Sequence, residues 1–294
     1  MGQNENIIGE KIIGGLPPAD NCLDKKINQA IKLIRAAGKD GQIVEVAYSG
    51  GKDSDVILEL TRMAGINYRA IYKNTTIDPP GTIKHCIENH VEIIRPKATF
   101  FQLVEKKGMP NRFRRHCCAV LKEYKILDRV IIGVRKAEGT KRAARYKEPT
   151  KCRIYKGNKH AEQFYPILDW TDEDVVQFIA ERNLKVHRIY YREDGTIDPK
   201  RRLGCMACPL ASIKKRREQF LKYPKLLRTY IKNAQKYIDK HPNSRIAKAY
   251  KDAYEWMVAE LFFEKYHLWE EYKNNLFEDT NYKEQLENYF HTKL

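Results

Sequence analysis

The run Ser49-Gly50-Gly51-Lys52-Asp53-Ser54 directly follows the apolar segment Val44 to Tyr48 and directly precedes Val56, Ile57, Leu58 and Leu60, whose spacing predicts a helix. Paired glycines between a strand and a helix let the backbone turn tightly and aim its N–H groups at an anion on the helix N-terminus. The segment therefore reads as a phosphate cradle. A P-loop NTPase would need a glycine where Val46 stands and a Ser or Thr where Asp53 stands. Nothing matching the dinucleotide G-x-G-x-x-G fingerprint follows the strand either.

Downstream, strands are expected at Tyr68 to Tyr72, Val91 to Ile94 and Val130 to Val134. A helix from about Thr82 separates the second from the third, and Ile27, Ala30, Ile31 and Ile34 mark a helix before the first, with Gly38 as its stop. Strands alternating with helices predict an α/β fold around a mainly parallel sheet, doubly wound, with ligands at the carboxyl ends of the strands. The phosphate loop, the breaker-rich turn Asn74 to Pro80 carrying Asp78, and the turn Gly133-Val134-Arg135 all fall there. The expected organisation is an arm over residues 1–22, the nucleotide domain over 23–212, and a basic, aromatic helical region over 213–294. In that last region Phe220, Leu227, Tyr230, Trp256 and Leu261 recur at helical spacing, the pattern of a core rather than of a base-stacking surface.

Taken together these segments resemble the phosphoadenosine phosphosulfate reductase family, within the adenine-nucleotide alpha-hydrolase superfamily and its pyrophosphatase loop. Ser-Gly-Gly-Lys-Asp-Ser is similar to that loop, and Asn74 to Pro80 to the turn in which an acidic residue precedes a proline-led helix. Gly133-Val134-Arg135 with Arg142 is similar to the Gly-hydrophobic-Arg segment, and Pro166-Ile167-Leu168-Asp169-Trp170 to the Pro-Leu-x-Asp-Trp segment, where Thr171 is expected to cap a helix with Asp174 in its first turn. The resemblance implies a Rossmann-like, HUP-type sheet with helices on both faces and an adenine nucleotide, ATP or an adenylyl sulfate, bound by Ser49, Gly50, Gly51, Lys52, Asp53, Ser54, Asp78, Gly133, Arg135 and Arg142. Lys52 would stabilise departing pyrophosphate. Asp53 would help hold Mg²⁺ or simply cap the helix, and Arg145 is either a further anion clamp or a surface charge.

Seven cysteines without a secretory pattern argue for metal or redox chemistry over a disulfide framework. Cys117-Cys118 and Cys205-Met206-Ala207-Cys208 resemble the ligands of a 4Fe–4S cluster in the adenylyl-sulfate reductase branch and in related sulfur-inserting proteins, with zinc as the competing metal. Adjacent cysteines on a helix point about 100° apart, so either all four bind or three bind and one metal position stays open. The alternative is a pair of small buried hydrophobes and a lone dithiol. Cys152, between Lys151 and Arg153, is a candidate persulfide carrier; Cys86 is expected in the core.

The net charge is +17, with 18 Lys/Arg against 5 Asp/Glu from Glu105 to Lys159 and 13 against 2 from Lys214 to Lys251. Such blocks point to a nucleic-acid partner, tRNA or DNA, or else to a solvated surface. No apolar run of about eighteen residues occurs, so no membrane partner is expected and the cytoplasm is the expected location. The sulfonucleotide reductases carry a nucleophilic cysteine on a C-terminal tail, whereas Cys208 is the last cysteine here, and Asp55 stands where small or hydroxyl residues are more usual. The reading is therefore an ATP pyrophosphatase-type sulfurtransferase that adenylylates a nucleic-acid acceptor, drawing on a sulfur-donor protein. The alternatives are a sulfonucleotide reductase using an external thiol such as thioredoxin, and a non-catalytic nucleotide- or nucleic-acid-binding module.

Overall fold

The structure is a computed structural model describing residues 22–155, 159–263, 265–275 and 280–294. The expected N-terminal arm lies outside the described residues except for Cys22, the first residue of helix α1 (Cys22–Ala37). That helix buries Leu23, Ala30, Ile34 and Ala37 along one stripe. It stops at Gly38, where a Cβ would stand 2.9 Å from the Ile66 side chain.

Strand β1 (Val44–Tyr48), helix α2 (Lys52–Ala64), β2 (Tyr68–Lys73), α3 (Thr82–Glu88) and β3 (Glu92–Ile94) follow in alternation. Next come α4 (Phe100–Lys107), α5 (His116–Leu121), β4 (Arg129–Ile131), α6 (Thr140–Arg145), β5 (Thr150–Tyr155), β6 (Lys159–Phe164) and α7 (Asp172–Glu181). The sheet has six strands in the order β3-β2-β1-β4-β6-β5. All neighbours are parallel except β5 and β6. The chain winds outward from β1 through β2 to β3, then returns to lay β4 on the other side of β1. This is the topological switch point at which α/β sheets bind ligands. The fold is the Rossmann-like α/β architecture expected from the sequence, with a helical C-terminal region.

Two local expectations change. The fourth strand ends at Ile131 rather than Val134, because Gly133 passes so close to the phosphate loop that a Cβ on it would lie 2.8 Å from the Asp53 carbonyl oxygen. The β5–β6 hairpin carries no apolar run. β5 is an edge strand with exposed Lys151, Cys152 and Ile154, so its sequence shows charge where a buried strand would show a hydrophobic segment.

Beyond the α/β region run α8 (Ile213–Lys222), α9 (Pro224–Lys240), α10 (Arg245–Ala249), α11 (Ala253–Phe262), α12 (Tyr266–Asn274) and α13 (Tyr282–Phe290). Two large cores result. The first joins β1, β2 and β4 to α1, α2 and α7 through Val44, Val46, Ile131, Ile57 and Phe178. The second joins the C-terminal helices to α4 and α5, with Phe220, Tyr230 and Trp256 packed together with Phe100, Leu103 and Leu121. The C-terminal aromatics are core, as their spacing indicates. No helix among the described residues is long and apolar enough to cross a membrane.

Candidate functional site

The loop after β1 has the conformation its glycines permit. Gly50 takes φ +75°, and Gly51 starts α2 without any side-chain cap. The Ser54 hydroxyl donates to the Gly51 carbonyl at 2.6 Å and the Ser54 and Asp55 amides return to the same oxygen at 2.8 and 3.0 Å, closing the turn from inside. Ser54 thus serves the loop's own backbone. Lys52 is almost fully buried; its ammonium lies 3.1 Å from Asp53 and 5.5 Å from the Tyr190 ring centre.

Arg135, expected as an anion clamp, is buried and committed to protein partners. Its Nε donates to Asp53 at 2.7 Å, its Nη2 to Asp172 at 2.8 Å and its Nη1 to the Trp170 carbonyl at 3.3 Å. Burial pulls its pKa down, but the two carboxylates outweigh that and the net shift is upward. Its position ties the turn after β4 and the start of α7 to the phosphate loop. Thr171 caps α7 in a reciprocal box with Asp174, as expected. Arg142 pairs with Glu138 and keeps close to half of its side chain exposed. Arg145 stacks on Tyr146, its guanidinium carbon 5.5 Å from the ring centre.

A cavity of about 210 Å³ opens at the carboxyl ends of β1 and β2, walled by Ser49, Thr75, Asp78, Lys122 and Gly204, with Glu45, Ala47, Ile71 and Lys73 as its floor. Asp78 is fixed there by the Tyr72 hydroxyl and by the Thr75 amide at 2.9 Å. On the floor the buried Glu45 carboxylate meets Lys73 at 2.8 Å and accepts the Leu127 amide at 3.0 Å.

A second, narrower cavity is lined by all four candidate metal ligands, Cys117, Cys118, Cys205 and Cys208, together with Phe100 and Tyr230. Thr75 and Lys122 line both cavities, and the Cys205 thiol lies 3.4 Å from the Thr75 hydroxyl. Hydrogen bonding within the Cys117–Cys118 pair raises the first thiol's pKa and lowers the second's, the latter helped by Lys122 and Arg115. Desolvation lowers the Lys122 pKa, but Cys205 and Asp78 outweigh it and hold the ammonium charged between the two cavities. Four thiols lining one cavity with a cation beside them are the donor types an iron–sulfur or zinc centre uses. Among the described residues, however, no three metal-ligating side chains are drawn together into a closed set.

Cys152 stands apart from both cavities, exposed on β5, and Cys22 is exposed on α1. Cys86 is fully buried, and burial pushes its thiol up to about 12.

Beneath the loop lies a buried polar cluster around Asp55, whose departure from the family pattern the sequence shows and whose partners it does not. Asp55 Oδ1 accepts from the Tyr48 hydroxyl and lies 2.9 Å from His85 Nε2; the His85 ring meets His187 edge-on, 5.9 Å between centres. Asp55 Oδ2 and His187 Nε2 have no hydrogen-bond partner. Burial raises the Asp55 pKa. The signal available was Asp55 itself, an acid on the inward stripe of α2; its histidine neighbours come from distant segments and only the fold unites them.

Among solved structures, Candida glabrata FMN adenylyltransferase in complex with FMN and the ATP analogue AMPCPP is 14% identical, with 60% of this chain and 63% of that chain covered and a TM-score of 0.39. This chain therefore spans under two thirds of that enzyme's length. The NH3-dependent NAD synthetase of Campylobacter jejuni in complex with nitrate is 18% identical, covering 76% of this chain and 98% of that one at a TM-score of 0.38. No curated protein matches the chain. The profile of the phosphoadenosine phosphosulfate reductase domain matches residues 43–211, which takes in the phosphate loop, the Asp78 turn, the Gly133 turn and all four cavity cysteines. On that match, over more than half its length, the chain belongs to the phosphoadenosine phosphosulfate reductase domain family.

Proposed function

We propose that the protein opens ATP between its α and β phosphates, transfers the adenylyl group to a nucleic-acid acceptor with release of pyrophosphate, and lets sulfur supplied at the cysteine cavity displace AMP. The observation that carries this reading is the shared wall: Thr75 and Lys122 belong to the nucleotide cavity and to the cysteine cavity alike. A nucleotide and a sulfur centre set side by side suit one reaction better than two unrelated sites.

In this reading the amides of Gly50 and Gly51 and the Lys52 ammonium stabilise charge on the phosphates as pyrophosphate departs. Asp53, oriented by Arg135, would help hold Mg²⁺, while Ser49, Asp78 and Gly133 would shape the nucleotide site and Arg142 would meet the substrate's anionic groups. Cys117, Cys118, Cys205 and Cys208 would hold a 4Fe–4S cluster, or zinc, which when bound supplies a soft metal centre for sulfur. Cys152, at an exposed sheet edge, is accessible to a sulfur-donor protein. The basic blocks around α5 and α8 favour a polyanionic acceptor.

The test is the purified protein, prepared anaerobically, with α-labelled ATP and either cellular RNA or DNA. AMP and pyrophosphate that appear only with one nucleic acid support the reading; no AMP with either ends it. The family match favours one competing reading, reduction of an adenylyl sulfate, and sulfite production from that substrate with thioredoxin in place of ATP cleavage would establish it.

A further inference from the structure

The segment between α4 and α5 presents a feature that lies outside the linings of both cavities. Phe113 is 97% exposed, and Arg112, Arg114 and Arg115 around it are exposed as well. The turn that carries them is braced. The Asn111 side-chain oxygen accepts the Phe113 amide at 3.0 Å and the Arg114 amide at 2.8 Å, and the Asn111 amide donates to the Arg114 carbonyl at 3.3 Å. Arg112 donates to the Ala211 carbonyl at 3.4 Å, which lays the turn against the loop bearing Cys208. Among the described residues, no carboxylate forms an ion pair with any of the three arginines.

A single exposed apolar side chain is ordinary. A phenyl ring at the tip of a side-chain-braced turn, between guanidinium groups without acidic partners, is the pairing of π-face and positive charge that single-stranded nucleic acid recognises. A duplex hides its base faces within the stack, and an acidic peptide would use the arginines and leave the ring unexplained. We propose that Phe113 is a stacking platform for an unpaired base, with Arg112, Arg114 and Arg115 meeting the flanking phosphates; this deepens, and rests on, the nucleic-acid-acceptor reading. Phe113 precedes Cys117 by four residues, so the stacked base is anchored within about 14 Å of chain from the cysteine cavity.

The experiment is fluorescence anisotropy of the full chain with labelled oligothymidylate, oligouridylate and a DNA duplex over a series of salt concentrations. Wild type is expected to prefer the single strands. Phe113→Ala weakens single-strand binding about tenfold with the salt slope unchanged, and Phe113→Trp restores it. Arg114→Gln lowers the slope by about 0.7. The Phe113→Ala melting temperature is expected to match wild type, because the ring is solvent-exposed. Equal affinity of wild type and Phe113→Ala, or preference for the duplex, overturns the platform and leaves the acceptor reading standing. Absence of binding to every nucleic acid, with labelled ATP still giving AMP, overturns both.

Discussion

The two faces of the sheet are built from the same strands and do opposite things. Val44, Val46 and Tyr48 of β1 and Ala70 and Tyr72 of β2 join the apolar core shared with α1, α2 and α7. Glu45, Ala47, Ile71 and Lys73, which alternate with them, line the larger cavity, whose edge Tyr48 and Tyr72 also reach. Side chains alternate along a strand, so the chain can hold one face to the demands of packing and give the other to chemistry. The ion pair between Glu45 and Lys73, with only 2% and 10% of the side chains exposed, sits where hydrophobic residues of similar volume would be at least as stabilising. Packing alone does not call for this polarity, and the proposed function supplies a reason for it, a polar ligand above the pair.

The contrast breaks most severely at Phe178, fully buried in α7 with its ring 5.5 Å from Trp170. Phe178→Ala is expected to cost about 4 kcal/mol in urea unfolding, taking nucleotide binding with it only as far as the fold is lost. On the cavity face, Glu45→Ala is expected to cost about 3 kcal/mol by stranding Lys73, whereas the double change Glu45→Gln with Lys73→Met, which keeps an acceptor for the Leu127 amide, recovers most of that stability. Nucleotide affinity, measured by calorimetry, is expected to fall in both. A double variant that regains stability and binds ATP normally would show that the two faces are not divided as described. Lys52→Met sharpens the point further: it keeps most of the buried side-chain volume while removing the charge, and about a hundredfold slower AMP formation is expected with a smaller loss of stability than Glu45→Ala.

This division was only partly legible in the sequence. Val44 to Tyr48 followed by Gly50-Gly51 declares strand, turn and helix through local rules alone, and Thr171 with Asp174 declares a cap in the same way. The β5–β6 hairpin was hidden because an edge strand facing solvent needs no hydrophobic run. Arg135 looked like a ligand clamp because its motif placed it at a strand end; that its guanidinium is spent on Asp53 and Asp172 depends on α7 arriving from elsewhere in the chain. The shared wall of Thr75 and Lys122 is likewise a product of folding, since those residues are remote in sequence from each other and from Cys205.

The smallest expected effect lies at the rim between the packed face and the loop. His187 is buried, and desolvation, His85 and Arg188 together lower its pKa below the usual 6.5. The folded state therefore keeps the imidazole neutral while the unfolded chain takes up a proton near 6.5, so the unfolded state binds more protons as the solution is acidified. Stability from this group is complete above 6.5 and is lost as pH falls toward the folded-state value. His187→Asn keeps an acceptor for the Ile189 amide that now bonds Nδ1 at 3.2 Å and removes the titration. Its stability, followed by urea unfolding, is expected to decline less than wild type on acidification below 6.5. Asp55 works in the opposite sense, because burial raises its pKa and its contribution is lost as pH rises through the folded value. Asp55→Asn should therefore steepen the acid loss that His187→Asn flattens, and two variants with parallel pH curves would mean that the cluster does not titrate in the manner its burial dictates.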